Sequence, residues 1–394
     1  MHYNEIALHP KRERSVYHRH PWLFTGAVAH CSAKAEGEIV VVKDSKSNIL
    51  GHGFYSSKSQ IMCRMFDWGF EERTFDLAYW THKITMALAL RKSCIDPKHT
   101  NTYRLLHAEG DFIPGMIADV YGDVLVLQIL ISGTQKLLPV FCEAFKHHGF
   151  EKVYLKHKQG AANREGLNLK SGWLLGNAST SVEVVENGNK FLVDIEEGQK
   201  TGFFIDQRDN RNLLQALSRD KTVLNTFSYS GGFSVYAIAG GAKEVCSVDI
   251  STSAIEQCEK NVLLNTLDST QKHTALVADC FNYLDDMPDH HYDLIVLDPP
   301  AFAKHARAVD NAAKGYKQIN LAAFRKIKSG GMLFTFSCSQ NISKELFQKI
   351  VFGAAADAKR NVRIIHHLNQ PADHPVNIYH PEGEYLKGLV LWVD

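Results

Sequence analysis

Two stretches of this chain carry side chains able to do chemistry where a strand should end. The first is Leu294-Ile295-Val296-Leu297-Asp298-Pro299-Pro300-Ala301-Phe302. An apolar run leads into one acid, two prolines and an aromatic ring. The run is short and holds no turn residue, which predicts a strand buried on both faces. Pro299 and Pro300 cannot extend a ladder and keep the backbone extended beyond it. Asp298 and Phe302 would then form a rigid platform, one part polar and one part flat. The plain alternative is a strand followed by an ordinary proline-rich loop. The second stretch runs from Gly331 to Ser337 and delivers Cys338, flanked by Ser339 and Gln340. In a polar strand-end loop a thiolate can form and act as a nucleophile. Packing as a small hydrophobe is the other role open to Cys338.

Further acids fall at expected strand ends. Asp249 closes one strand and a helix follows directly, so it could accept bonds from both hydroxyls of a ribose. Asp279 follows the next strand and suits an exocyclic amino group. Each acid alone reads equally as a helix N-cap. Upstream, Asn225-Thr226-Phe227-Ser228-Tyr229-Ser230-Gly231-Gly232-Phe233 turns from strand to helix. The Gly pair allows a tight turn and a close backbone approach to a ligand. The dinucleotide spacing Gly-x-Gly-x-x-Gly and the phosphate-binding Gly-Lys-Ser/Thr are both absent. Three acids in register beside such a turn fit a nucleoside ligand without phosphates, and S-adenosylmethionine is one. Asn225, Ser228 and Gly231 join Asp249 and Asp279 as candidate cofactor contacts. Asp206, Gln207 and Arg208, at the start of a helix beside Phe203 and Phe204, either line the pocket or cap that helix.

These residues need a sheet to hold them in register. From residue 221 on, strands at 222–227, 244–249, 273–278, 292–298 and 331–337, then near 362–366 and 388–393, alternate with helices at 232–240, 251–265, 311–328 and 343–358. That alternation predicts a parallel sheet covered on both faces. Before it, residues 182–195 alternate about Asn187-Gly188, a hairpin turn signal. Residues 1–70 read as a small β domain with runs at 38–42 and 60–65. Residues 71–180 read as an α/β unit: a helix over 74–92, strands at 113–119 and 124–130, a helix over 135–148 and a strand at 152–156. Residues 159–171 read as an exposed loop. The third domain spans 181–394.

Bulk composition narrows the function classes. Of 394 residues, 45% are apolar and 22% charged, as in an ordinary globular protein. The formal net charge is +1, so a nucleic-acid surface would have to be local. Lys11, Arg12 and Arg14, with His18-Arg19-His20, form the most basic cluster, next to Trp22 and Phe24. Charge interleaved with flat rings suits RNA; aromatic core anchors under a solvated charged face are the alternative. The eight Cys are scattered with no Cys-x-x-Cys pair, which argues against a disulfide framework and a zinc site and for a reduced, cytoplasmic setting. The first residues lack a signal-peptide core, and no apolar run has membrane-spanning length. No metal is expected.

Taken together, these motifs resemble the ribosomal RNA large subunit methyltransferase I family. The resemblance covers almost the whole chain: His20-Pro21-Trp22-Leu23-Phe24-Thr25-Gly26-Ala27-Val28, Tyr103-Arg104-Leu105, Glu109-Gly110-Asp111 through Pro114-Gly115, and Lys200 to Arg208. It continues through Phe227 to Phe233, Asp298-Pro299-Pro300, Gly315-Tyr316-Lys317, Phe336-Ser337-Cys338-Ser339, Asp373-His374-Pro375, Pro381-Glu382-Gly383 and Tyr385-Leu386-Lys387-Gly388. It implies an α/β fold: an N-terminal PUA-like RNA-binding β domain, a central α/β domain and a class I, Rossmann-like methyltransferase domain. One departure is Ala301, where the family often has Lys after Asp-Pro-Pro; this bears on the choice of target nucleotide.

The resemblance implies methyl transfer from S-adenosylmethionine to carbon 5 of a cytosine in large-subunit (23S) ribosomal RNA. Cys338 would attack carbon 6, Asp298 would hold the cytosine edge, and Pro299, Pro300 and Phe302 would frame the base. Lys11, Arg12 and Arg14 would meet RNA phosphates. Glu382 is a candidate for removing the carbon 5 proton. Ribosomal RNA is the expected partner, a membrane is not, and a homodimer stays open. A rival enzyme reading is methylation of an exocyclic amino group, with Asp-Pro-Pro and an aromatic but no Cys needed. A rival of another class is an RNA-binding assembly factor with an inert Rossmann domain.

Overall fold

In the computed structural model, residues 3–71, 73–157, 166–265, 271–303 and 305–394 are described. The chain divides into two compact units that do not follow chain order. The first holds Met1–Val184, Val193–Ile205 and Ala372–Gly383. The second holds Val185–Leu192, Asp206–Pro371 and Glu384–Asp394.

In the first unit, short β-branched runs separated by turn residues build a six-stranded sheet. Its strands are β1 (Asn4–Leu8), β2 (Trp22–Phe24), β3 (Val28–Cys31), β4 (Ile39–Lys43), β5 (Ile49–Tyr55) and β6 (Ile61–Asp67), with the one-turn helix α1 (Arg14–Tyr17) between β1 and β2. Their order is β2-β6-β5-β4-β1-β3. Ile6, Leu23, Val40, Val42 and Met65 alternate inward to form its core. The helix α2 (Leu77–Cys94) starts where the Asp76 carboxylate accepts the Tyr79 N–H at 3.1 Å. The second sheet contains β7 (Thr102–His107), β8 (Met116–Tyr121), β9 (Val124–Ile129), β10 (Lys152–Leu155) and β11 (Gly172–Leu175), in the order β11-β10-β9-β8-β7. In place of the single helix expected over 135–148, two form, α3 (Ser132–Lys136) and α4 (Leu138–His147), because Pro139 starts a helix readily but cannot continue one. The expected strand at 113–119 begins only at Met116, after Gly115 turns the chain with φ +69°. Most of the expected loop at 159–171 lies outside the described residues.

Hydrogen bonds from two buried, ion-paired arginine residues tie the late segment Ala372–Gly383 into this unit. Arg91, 2% exposed, pairs with Asp111 and donates to the Asp373 carbonyl at 2.7 Å. The Asp373 carboxylate accepts the Arg104 N–H at 2.9 Å, and the Arg104 guanidinium reaches Asp119 at 2.8 Å.

The hairpin of β12 (Ser181–Glu186) and β13 (Asn189–Asp194) turns at Asn187 and Gly188, both left-handed with φ 48° and 82°. That is the turn whose twist matches paired strands. In the second unit, α5 (Arg208–Leu217) leads to a seven-stranded sheet. The elements are β14 (Thr222–Thr226), α6 (Gly232–Ala239), β15 (Glu244–Asp249), α7 (Thr252–Leu263), β16 (Lys272–Val277), α8 (Cys280–Asp286) and β17 (Leu294–Leu297). They continue with α9 (Val309–Lys326), β18 (Gly331–Ser337), α10 (Lys344–Ala358), β19 (Val362–Asn369) and β20 (Lys387–Val393). The order is β16-β15-β14-β17-β18-β20-β19. The five strands through β18 are parallel, but β20 runs antiparallel between β18 and β19. This corrects the wholly parallel sheet expected from alternation, since an apolar strand run carries no signal of direction. The β17 side chains are fully buried, and so is every residue of β18. These two central strands hold Asp298 and Cys338 at the same edge.

Candidate active site at the carboxyl edge of the seven-stranded sheet

Asp298 follows β17 directly and is half-buried. Its Oδ1 accepts a hydrogen bond from Gln207 Nε2 at 3.0 Å. Gln207 is itself fixed, because its Oε1 accepts from Asn210 Nδ2 at 2.6 Å. Next to it, the Tyr385 hydroxyl donates to Asp206 Oδ2 at 2.7 Å. Pro299 is buried and Pro300 exposed. Phe302 is half-buried against Tyr316 (ring centroids 4.7 Å apart) and Phe281 (5.9 Å). It is supported as a wall of the site rather than left projecting.

Cys338 follows β18, half-buried, with its Sγ 4.0 Å from the Pro299 carbonyl oxygen. The loop around it is anchored on all sides. Ser337 Oγ donates to the Tyr316 hydroxyl at 2.9 Å, and that hydroxyl lies 3.0 Å from Ser339 Oγ. Ser339 Oγ accepts the Ala303 N–H at 3.2 Å, which stitches the Asp-Pro-Pro loop to the cysteine loop. Lys387, 5% exposed, donates from Nζ to the Ser339 and Ile342 carbonyls, both at 2.7 Å. Burial pulls the Lys387 ammonium down to about 8, and a thiolate at Cys338 would act in the opposite sense. The Lys387 ammonium is thus held at the base of the loop that carries Cys338.

The glycine turn is held in an unusual backbone. Phe227, Tyr229 and Gly231 all have left-handed φ, 54°, 45° and 79°. Asp249 secures it, with Oδ2 accepting the Tyr229 N–H at 2.9 Å and Oδ1 the Ser251 N–H at 2.9 Å. Gly231 needs its lack of side chain: a Cβ there would sit 2.5 Å from Cys258 Sγ. The buried hydroxyls of Ser228 and Ser230 have no hydrogen-bond partner among the described residues. Such orphaned groups beside a close-approach glycine fit a polar ligand, and S-adenosylmethionine has the donors and acceptors to satisfy them. Asp279 caps α8, accepting the Asn282 N–H at 3.0 Å through Oδ1. Asn225 is 1% exposed and turned inward, its Nδ2 donating to Ser234 Oγ at 2.9 Å. Arg208 is also buried, with Nε donating to Asp209 at 3.3 Å. Its charge helps hold down the carboxyl of Glu186, which burial pushes up.

Lys11, Arg12 and Arg14 are exposed in the first unit. Trp22 is anchored: its Nε1 donates to Glu109 Oε1 at 2.9 Å and its ring lies 4.4 Å from that of His380. Phe24 is 48% exposed. Glu382 belongs to the same unit, 3.5 Å from His20 Nε2. Among the described residues, no cluster of His, Cys, Asp and Glu could hold a metal, and no helix is long and apolar enough to cross a membrane. The structure adds Tyr316, Ser339, Lys387 and Tyr385 to the site residues expected from sequence. For one of them a signal was available: a lysine opening an apolar strand, as in Leu386-Lys387-Gly388-Leu389.

Comparison with known proteins agrees with this fold. A family model of S-adenosylmethionine-dependent methyltransferases matches residues 157–382, and a PUA-like domain model matches residues 6–68. A "Ribosomal RNA large subunit methyltransferase I" from Alteromonas mediterranea is 41% identical, over 99% of this chain and 98% of its own. Proteins of the same name from Tolumonas auensis and Escherichia coli are 40% and 39% identical, each over 98% of this chain and 98% and 99% of their own. In fold, the chain is similar to a methyltransferase structure complexed with SAH (TM-score 0.84, 23% identity, 99% of this chain and 100% of that one). The chain therefore belongs to the ribosomal RNA large subunit methyltransferase I family, with a PUA-like domain and an S-adenosylmethionine-dependent methyltransferase domain.

Proposed function

We propose that this protein methylates carbon 5 of a cytosine in large-subunit ribosomal RNA, through a covalent bond to Cys338. The names of its relatives support the RNA class. The carrying observation for the chemistry is Cys338, placed straight after β18 with its Sγ 4.0 Å from the carbonyl of Pro299. S-adenosylmethionine, when bound, supplies an electrophilic methyl group. Ser228, Ser230, Gly231, Asp249 and Asp279 are the residues we assign to holding it.

Carbon 5 of cytosine is a poor nucleophile. Attack of the Cys338 thiolate on carbon 6 forms a C–S bond and pushes the ring electrons toward carbon 5 and nitrogen 3. Asp298 holds the cytosine edge by accepting the hydrogen bond of the amino group, while N3 takes a proton from solvent as charge builds there and returns it when the ring is restored. Gln207 keeps the carboxylate aimed. Carbon 5 then takes the methyl group, loses its proton to a base, and the electron pair of that C–H bond expels the Cys338 thiolate. Pro299 and Phe302 wall a pocket that takes the base out of its stack, as base-modifying enzymes require.

Cys338→Ala should abolish methylation of ribosomal RNA, read by mass mapping of its methylated nucleosides. With 5-fluorocytidine in the RNA, carbon 5 has no proton to release, so the wild-type chain should stay bonded to RNA and Cys338→Ala should not. The Asp-Pro-Pro-Ala-Phe platform would also suit methylation of an exocyclic amino group, whose lone pair attacks without a thiol. Full activity of Cys338→Ala, with the methyl group on nitrogen, would establish that reading instead.

A further inference from the structure

The first unit holds a recess of about 320 Å³ that the methyl-transfer chemistry does not use. Its walls include Arg19, Asp67, Trp68, Arg73, Lys83 and Phe112. Asp67 ends β6, Lys83 sits on α2, and Phe112 follows a tight turn with left-handed φ of 57°.

The balance of charge here is lopsided. Among the described lining residues three cations face one carboxylate, and that carboxylate is already occupied. Asp67 lies 3.1 Å from His52 Nδ1, accepts the Gly69 N–H at 3.0 Å and pairs with Arg73 at 3.5 Å. Lys83 donates to the Phe66 carbonyl at 3.1 Å, but among the described residues it has no carboxylate within ion-pair distance. Its ammonium rests instead 5.4 Å from the Phe112 ring centre and 5.5 Å from that of Tyr79. Arg19 is exposed and likewise has no ion pair among the described residues. A half-buried lysine with no carboxylate in contact is costly to keep charged: burial pulls it down to about 8, and the charge of Asp67 offsets this only in part. An arriving anion would relieve that cost.

The ring surfaces narrow the choice of anion. Phe112 is 37% exposed at the rim, with the Trp68 ring edge-on to it at 6.1 Å. The Trp68 indole N–H, in the same wall, has no acceptor among the described residues. A phosphate between cations with a flat face beside it matches one nucleotide of an unpaired strand. We propose that this recess holds a phosphodiester of single-stranded RNA, with the adjoining base against Phe112. The proposal rests on RNA being the substrate, but not on which atom is methylated.

The test reads binding alone. A fluorescein-labelled single-stranded oligoribonucleotide is titrated with the full chain at several salt concentrations. Arg19→Gln, Arg73→Gln and Lys83→Met should each weaken binding about 3- to 10-fold and lower the log–log salt slope by roughly 0.7 for each phosphate no longer neutralised. Phe112→Asn, which tolerates the left-handed backbone, should weaken binding with the slope unchanged. Calorimetry with S-adenosylmethionine should be unaltered in every variant, showing that each is folded. A 4-thiouridine oligoribonucleotide should crosslink under light to the peptide carrying Phe112. Wild-type affinity in the Arg19→Gln/Lys83→Met double variant would overturn the proposal. So would loss of binding to phosphatidylglycerol vesicles in that variant with RNA binding intact, which would reassign the recess to lipid headgroups. A failed Cys338 mechanism would leave all these readings where they are.

Discussion

Gln207 and Asp298 are joined by a 3.0 Å hydrogen bond between side chains 91 positions apart in sequence. The amide donates and the carboxylate accepts, so in the proposed reaction Gln207 would hold the Asp298 carboxylate in place for the base. Gln207→Leu removes that donor without adding charge. A hydrogen bond to a charged group contributes roughly 1.5–3 kcal/mol. We expect kcat to fall about 10- to 100-fold, with S-adenosylmethionine affinity nearly unchanged. Steady-state kinetics and calorimetry on the variant check this. Gln207→Glu should be worse, since a second carboxylate beside Asp298 favours protonation of the pair and shifts the activity profile.

The Lys387 ammonium braces the cysteine loop through the Ser339 and Ile342 carbonyls. Lys387→Met leaves two buried carbonyls without their donor and removes the cation beside the thiol. We expect kcat to fall about 100-fold, comparable to the loss of one strong buried interaction of ~3 kcal/mol. A purely structural role would not change the chemistry of Cys338. A charge role predicts that iodoacetamide modifies Cys338 only at higher pH in Lys387→Met than in wild type. Lys387→Arg should restore part of that reactivity.

The strand ends are legible in the sequence because buried strands of a parallel sheet read as unbroken apolar runs, and Leu294–Leu297 is one. That is enough to put Asp298 and Cys338 at one edge. For Lys387 the sequence shows only a lysine opening an apolar strand; its role depends on β20 lying next to β18, and that pairing leaves no local mark. The antiparallel direction of β20 is hidden for the same reason. Asn225 reads as a ligand contact from its strand-end position; its Nδ2 donates to Ser234, while its Oδ1 has no hydrogen-bond partner among the described residues. Alternation along β14 sets that direction, but sequence does not say which face receives the ligand. The short helix α8 falls outside the expected elements, although Asp279 before Cys280-Phe281-Asn282-Tyr283-Leu284 is a readable start signal. An acid at a strand end serves a cap and a ligand equally well, and its residue type does not separate the two.

Gly231 combines a left-handed φ of 79° with a neighbour, Cys258 Sγ, that a Cβ would approach to 2.5 Å. Gly231→Ala therefore meets both backbone strain, about 1–2 kcal/mol, and a clash that must move α7 or the turn. Both costs fall on the turn that carries Ser228 and Ser230. We expect a lower melting temperature and about tenfold weaker S-adenosylmethionine binding, measured by thermal denaturation and calorimetry. Gly232→Ala is milder, since a Cβ there would meet the nearest atoms, those of the Arg211 side chain, only at 3.2 Å and beyond.

A hydroxyl relay under the glycine turn predicts a pH dependence of stability. Asn225 donates to Ser234 Oγ, Ser234 and Ser247 share a 2.6 Å hydrogen bond, and Ser247 Oγ lies 2.9 Å from His273 Nε2. Burial pulls His273 down to about 4, so the folded chain holds it neutral. An unfolded histidine titrates near about 6.5. Between these values the unfolded state binds the extra proton, and stability must rise with pH across that window. Acidifying from about 6.5 to about 4 should therefore cost the fold up to roughly 3 kcal/mol from this group, levelling off below. His273→Gln keeps a polar partner for Ser247 but cannot take up the proton. Urea denaturation at a series of pH values should show a shallower acid limb for His273→Gln than for wild type. Equal slopes would mean that the ring is already solvated and that other groups set the acid limb.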